Sequence, residues 1–412
     1  MKVRRRPGLA GIAAALALTV GAPGAATPAP GAEQTVPYRT VAAPDQAVAA
    51  PPTPSYELVW ADEFNTTAVD TSEWNYRTDT KGWSQQRPEN VTVGGGAMTV
   101  HLCPRDKAGA GCARQVDSMD LYTGGGLISK RKTRYGYYET RVRTNTGSGW
   151  HSAFWAAEAG SGTEPRTEID GFEIDSHVPD KVRHNVIAWT QGTFTSKIYG
   201  LGFDSSADWH TYGFEWLEDS VKFFVDGVLK WSQPYAPGTY PHNFLNTWLT
   251  AIAFDANDSP GVDESALPGK VQFDYVRHYA RDVYADNDAP SGYSETGTGW
   301  SPSGLPAFGR LTGRFSCDTG SAGRWTFTPP ADGTYQGYFF RAGGDGGQAD
   351  APVSVWDGGT ALSRTRVDLT VPGSAWVPLG AHTLKSGTTY IVRIDRDGPG
   401  CIRADAVKFV RS

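Results

Sequence analysis

The chain has 412 residues, room for about two or three domains at roughly 100–200 residues each. Its formal net charge of −6 argues against a nucleic-acid binder, which carries a basic excess or stripe. With 39% hydrophobic and 20% charged residues it is too apolar for a disordered chain, and 49 Gly, 27 Pro and 14 Trp suit short strands and turns better than a helical bundle.

Residues 1–27 have the three-part layout of a secretory signal peptide. Lys2, Arg4, Arg5 and Arg6 make a basic start, and an apolar run from Leu9 to Val20 follows. Ala22, Gly24, Ala25 and Ala26 then offer a cleavage site. The run is too short to span a bilayer comfortably, so the expectation is a secreted, extracellular protein with no membrane attachment once the signal is removed. An uncleaved anchor is the alternative. Residues 28–54 are Ala/Pro-rich and read as a disordered spacer.

Strand signals dominate from Tyr56 onward. Aromatics recur at every second position in His210–Trp216, and Val271–Tyr275 alternates in the same way. Period two marks a sheet with one buried face. Val221–Val225 and Val228–Trp231 flank Asp226-Gly227, a hairpin signal. A polar passage at Arg281–Pro290 separates residues 55–282 from residues 291–412, where strand spacing resumes at Arg324, Tyr335, Tyr390 and Ala406. The expectation is an all-β protein, with a larger sandwich or barrel followed by a second, smaller β-sandwich. Four cysteines allow three pairings. The local one, Cys103–Cys112 with Cys317–Cys401, keeps each bridge inside one candidate domain. No C-x-x-C or Cys/His cluster supports metal binding instead.

Thr167-Glu-Ile-Asp-Gly-Phe-Glu173 places three carboxylates within six residues. On a regular strand Glu168 and Asp170 share a face and Glu173 points away. One extra residue reverses that parity, and Gly171 is a natural site for such a bulge. Clustered acids resist joint ionisation unless something uses them. Glycoside hydrolysis does, with one carboxylate attacking the anomeric carbon and a second, protonated, serving the leaving oxygen. Four strand steps put the two Glu Cα atoms about 13 Å apart, and converging side chains close that to about 5 Å, the retaining separation. The competing readings are a calcium site or an acidic solvated strand. Ile169, Phe172 and Ile174 favour a packed strand over a solvated one.

From Tyr56 to Tyr279 the chain resembles glycoside hydrolase family 16, on an ordered set of motifs. These are Leu58–Asn65, Glu89–Val91 with Gly96–Val100, Gly125–Lys130, Tyr135–Val142, Ala153-Phe-Trp155 before E-x-D-x-x-E, Trp209-His210, Val225–Gly227 and Phe273–Arg277. The resemblance implies a β-jelly-roll sandwich whose concave face holds a polysaccharide. It implies Glu168 as nucleophile, Glu173 as acid/base and Asp170 as the residue assisting the nucleophile, in the bulged form of the motif. It further implies sugar contacts from Trp155, His184 and Asn90. A core Trp, a core His and a turn-stabilising Asn are the respective alternatives. Trp83, Trp150, Trp189 and Trp248 are candidate stacking platforms. Glu139 and Arg141 read as a structural pair. No cofactor is required, but a structural calcium on the convex side is implied, with Glu63 and Asp274 as ligands. A neutral polysaccharide partner and a monomeric state are expected.

The sequence departs from the family pattern at His151, where laminarin-cleaving members carry an indole, so a sugar-contacting wall is changed. Gly171-Phe172 and the Cys103–Cys112 loop depart too. The expected substrate is a β-1,3- or mixed-linkage β-1,3-1,4-glucan. An agar- or carrageenan-type β-galactan, transglycosylation, or non-catalytic polysaccharide binding are the alternatives. The tail, through Trp325–Tyr335, Trp376–Gly380 and Ile402–Phe409, resembles the golvesin C-terminal domain, which implies a β-sandwich with suspected carbohydrate binding.

Overall fold

The computed structural model describes residues 51, 55–104, 112, 122–159, 167–236, 240–254 and 259–412. The signal-peptide and spacer segments lie outside them. Among the described residues the helical pieces are short 3-10 turns, and strands make up the rest of the regular structure.

The first unit is a β-jelly-roll sandwich of an eight-stranded and a nine-stranded sheet. Alternation decides which side chains face inward. In Trp150–Ala157 the inward set is Trp150, Ser152, Phe154 and Ala156; in Thr167–Asp175 it includes Ile169, Phe172 and Ile174. These meet Tyr212, Phe214 and Tyr138 from the opposite sheet, with Phe154 and Phe214 centroids 5.5 Å apart and Phe172 and Tyr212 4.7 Å apart. The expected Asp226-Gly227 hairpin joins Ser220–Val225 to Val228–Pro234, and both turn residues have positive φ, 49° and 72°. That backbone hand matches the twist of the paired strands, which is why Asp-Gly is favoured there.

The second unit packs sheets of four, five and three strands around Trp325, Phe339, Val353, Val355, Val392 and Phe409. Its first strand, Val283–Asp286, pairs with Ala406–Arg411 and so begins ahead of Ser291. Disulfides join Cys103 to Cys112 and Cys317 to Cys401, the local pairing.

The two units share a buried contact. Arg134 and Asp286 form an ion pair at 2.9 Å with both side chains 1% exposed. Phe308 and Trp376 of the second unit pack in the same apolar cluster as Tyr135, Trp216 and Tyr240 of the first. Glu218 accepts from Tyr284 (2.7 Å), Lys408 (2.6 Å) and Trp376 (3.2 Å).

Candidate active site

The Thr167–Asp175 strand runs between Trp150–Ala157 and Lys181–Ala188. Its register against the first neighbour slips between Asp170, opposite Trp155, and Phe172, opposite Phe154. Against the second it slips between Asp170, opposite Asn185, and Glu173, opposite Arg183. Gly171 is therefore the extra residue, at the position the parity argument requires. A Cβ there would come within 2.8 Å of both the Phe154 and Phe214 rings, so only glycine fits the bulge as it is packed. The result puts Glu168, Asp170, Glu173 and Asp175 on the outer face.

Each acid meets a donor. Trp189 Nε1 donates to Glu168 Oε2 at 3.0 Å. Asn185 Nδ2 donates to Asp170 Oδ2 at 2.6 Å and to Glu173 Oε2 at 2.9 Å. His151 lies between two acids, with Nδ1 2.7 Å from Asp175 Oδ1 and Nε2 3.3 Å from Glu173 Oε1. Arg183 adds contacts at 3.4 Å to Glu173 and 3.6 Å to Asp175.

The electrostatics separate the acids. Burial, with Glu168 and Glu173 on either side, pushes Asp170 well above the usual carboxylate range, so of the three acids it is the one that favours its proton. Burial also pushes Glu173 upward, but His151, Arg183 and Asn185 outweigh it and hold Glu173 low. Burial alone would lower His151; Glu173 and Asp175 instead hold its imidazole proton up to about 10. The resting arrangement is a neutral Asp170 beside a charged Glu173–His151–Asp175 chain.

Beside the acids, Trp155 stacks on Trp248 with centroids 4.4 Å apart. Arg77 lies 5.9 Å and 5.8 Å from the two ring centroids, held by a bidentate pair to Asp79. Trp155 Nε1 donates to Thr250 and Trp248 Nε1 to the Ala157 carbonyl, so both indoles are fixed in orientation.

Several sequence expectations require correction. Trp150 is 2% exposed and packs edge-on to Tyr122 in the core, because it is an odd number of residues from Trp155. His184 points inward, stacks on Phe223 and pairs with the Tyr199 hydroxyl; burial drops its pKa to about 3. Asn90 has no exposed surface, and its amide donates to the Gly124 carbonyl. Trp83, by contrast, is only half-buried beside the core cluster and keeps its place as a candidate platform. Glu139 and Arg141 do not pair: Glu139 accepts from Tyr137 and Tyr275, and Arg141 binds Asp274. The calcium expectation does not fit its residues. Both Glu63 oxygens accept from Arg277 (2.7 and 2.8 Å), and Asp274 accepts from Arg141 (2.9 Å), so each carboxylate is already held by a guanidinium. Among the described residues no group of three or more His, Cys, Asp or Glu is arranged to hold a metal.

Sequence reasoning missed Asn185, Arg183, Asp175 and Arg77. Asp175 was legible as the next same-face position after Glu173. Asn185 and Arg183 depend on the pairing partner, which periodicity does not name.

A family model for glycosyl hydrolases family 16 matches residues 105–277, and one for the Golvesin C-terminal domain matches residues 283–411. The chain is 30% identical over 278 residues to a beta-glucanase of Acetivibrio thermocellus, covering 63% of this chain and 76% of that protein. It is 30% identical over 261 residues to a beta-glucanase of Rhodothermus marinus, covering 55% and 86%. This chain belongs to glycoside hydrolase family 16. The family 16 enzyme is also 29% identical over 265 residues to a kappa-carrageenase of Pseudoalteromonas carrageenovora, covering 56% of this chain and 65% of that protein. As a family 16 member it is a glycoside hydrolase, and the carboxylate strand is where its acids gather.

Proposed function

We propose that this hydrolase is a secreted, retaining endo-β-glycanase acting on a β-1,3- or mixed-linkage β-1,3-1,4-glucan. The observation that carries the mechanism is the single-residue bulge at Gly171, which sets Glu168, Asp170 and Glu173 on one face. The names of the beta-glucanase relatives support the glucan. Export rests on the N-terminal sequence pattern. No described helix is long and apolar enough to cross a membrane.

Glu168, oriented by the Trp189 indole, attacks the anomeric carbon. Glu173 rests charged, so it first takes the proton that His151 Nε2 holds 3.3 Å away and then gives it to the departing glycosidic oxygen as that C–O bond breaks. In the second step Glu173 takes a proton from water, and the water oxygen displaces Glu168 from the anomeric carbon. Neutral Asp170 keeps the row of acids from carrying three adjacent negative charges and supports the attacking carboxylate. Trp155, backed by Trp248, offers a fixed apolar plane for a sugar ring beside the acids.

A second reading is a sulfated β-galactan. The kappa-carrageenase relative favours it, as does Lys81 within electrostatic reach of Glu168. One experiment tests both assignments. Reducing-sugar release is measured over β-glucans and β-galactans, and Glu168→Gly enzyme is then given azide with the best substrate. A glycosyl azide of inverted configuration is expected; no azide product, or near-wild-type hydrolysis by Glu168→Ala, removes Glu168 from the nucleophile role.

A further inference from the structure

The five-stranded sheet of the second sandwich buries Trp325, Val353, Val355, Val392 and Ile394 on its inner face. Its outer face carries a line of arginines. Arg324 is directly opposite Arg393 on the next strand, Arg393 is opposite Ser354, and Ser354 is opposite Arg364. Like charges directly opposite one another on paired strands are destabilising. Arg393 is relieved by Asp395 at 2.6 Å. Neither Arg324 nor Arg364 has a carboxylate partner among the described residues, and both are exposed. Further along the edge, Arg366 is taken by Asp350 and Asp397.

An aromatic plane is set into the same line. Trp356 is half-buried, its Nε1 donates to Ser354 Oγ at 2.8 Å, and the Arg364 guanidinium lies 5.1 Å from its ring centroid. The hydrogen bond fixes the indole on the sheet surface. A planar cation stacked on a fixed indole, next to further guanidinium forks, suits a ligand that combines ring faces with anionic oxygens.

We propose that this face, Arg324–Arg393–Trp356–Arg364, binds a polyanionic polysaccharide bearing carboxylate or sulfate groups. The site is separate from the carboxylate strand and would hold the enzyme on an anionic matrix while the first sandwich cuts its substrate. The net charge of −6 disfavours a nucleic acid as the occupant, and the Trp356 plane suits a sugar ring between anionic groups.

The test uses the full-length chain with Glu168→Ala throughout, so that no probe is degraded. Migration is measured in native gels cast with polygalacturonate, chondroitin sulfate, neutral laminarin or double-stranded DNA. Retardation by the two anionic glycans is expected, reversed by added salt. The Arg324→Ala/Arg364→Ala pair should weaken it roughly ten-fold, the loss of two charge-assisted contacts, and Trp356→Ala should weaken it too. Retardation in laminarin would not respond to these changes. Absent retardation in both anionic glycans overturns the proposal, as does equal retardation of the double variant. DNA retardation as strong as that by the glycans and indifferent to Trp356→Ala would make the face a general polyanion surface, which also overturns it. Hydrolysis of soluble glucan by Arg324→Ala/Arg364→Ala with Glu168 restored should match wild type. A failed catalytic assignment therefore leaves this binding result readable on its own.

Discussion

Replacing His151 with Gln should move the alkaline limb of the pH–rate profile upward. His151 Nε2 is 3.3 Å from Glu173 Oε1, and at an effective dielectric near 20 that pair is worth about 5 kcal/mol. The same size follows from the imidazole itself, held up to about 10 from an ordinary 6.5, at about 1.4 kcal/mol per unit. That energy is shared with Asp175, and Arg183 at 3.4 Å continues to hold Glu173 down. Half of it remains a reasonable ceiling for Glu173 alone, about 2–3 kcal/mol, so the limb should move by about one to two pH units. The sign follows from the chemistry. In the proposed mechanism Glu173 must be protonated when the glycosidic oxygen leaves, and removing a neighbouring cation lets it keep that proton to higher pH. The groups facing His151 are Glu173 and Asp175 from one strand, Arg183 from the next and the Phe254 ring at 5.9 Å, so the carboxylates are the charges that respond. The assay is kcat/KM against pH on a natural glucan and on a dinitrophenyl glycoside, whose leaving group needs no proton. The shift should appear on the first and vanish on the second. Stability should change in step: a raised folded-state pKa stabilises fully below about 6.5 and loses that contribution as pH rises through about 10. Urea midpoints of wild type should fall across that window, and those of His151→Gln should be flatter. An unmoved or acid-shifted limb refutes the coupling.

Three further changes probe the frame around the acids. Gly171→Ala should cost about 1–3 kcal/mol, because its Cβ meets Phe154 and Phe214 at 2.8 Å, and should lower kcat by displacing Glu173; urea unfolding and kinetics on one preparation separate the two effects. An unchanged protein would mean the bulge tolerates a side chain. Asn185→Ala should lower kcat roughly 10²-fold and lower stability by about 1–3 kcal/mol, since it removes the buried donor shared by Asp170 and Glu173; kinetics and urea unfolding read the two effects. Asp286→Ala should lower stability by about 3–5 kcal/mol by leaving Arg134 buried and unpaired, and calorimetry should show the first sandwich destabilised along with the second. Two transitions with only the later one moved would show that the ion pair does not couple them.

Parity accounts for both what the sequence disclosed and what it hid. The Glu168–Asp170–Glu173 spacing demanded one extra residue for a common face, and the register slip supplies it at Gly171. The same rule applied to Trp150-His-Ser-Ala-Phe-Trp155 places His151 and Trp155 together and Trp150 on the other side, as found. Matching Trp150 and His184 to sugar-contacting roles by motif ignored that rule. His184 sits between Arg183 and Asn185, and once Asn185 faces Asp170 the histidine must face the core. Asn90 and Arg77 were illegible for another reason. Their positions depend on turns around the Gly124–Gly126 segment, whose backbone accepts from both, and no periodic pattern encodes such a contact.

The row of acids also gives His151 its role. Asp175 extends the row to a fourth carboxylate on the outer face, and four adjacent acids without a cation would resist ionisation together. His151 and Arg183 supply the positive charge, both bridging Glu173 and Asp175. An indole at position 151 could cover the acids but could not neutralise them. An indole at position 151 therefore has to be introduced together with a change at Asp175. His151→Trp alone should leave Asp175 under-compensated and depress activity, whereas His151→Trp with Asp175→Ala should recover part of it. The charged bridge at His151 thus belongs with Asp175, two residues beyond Glu173.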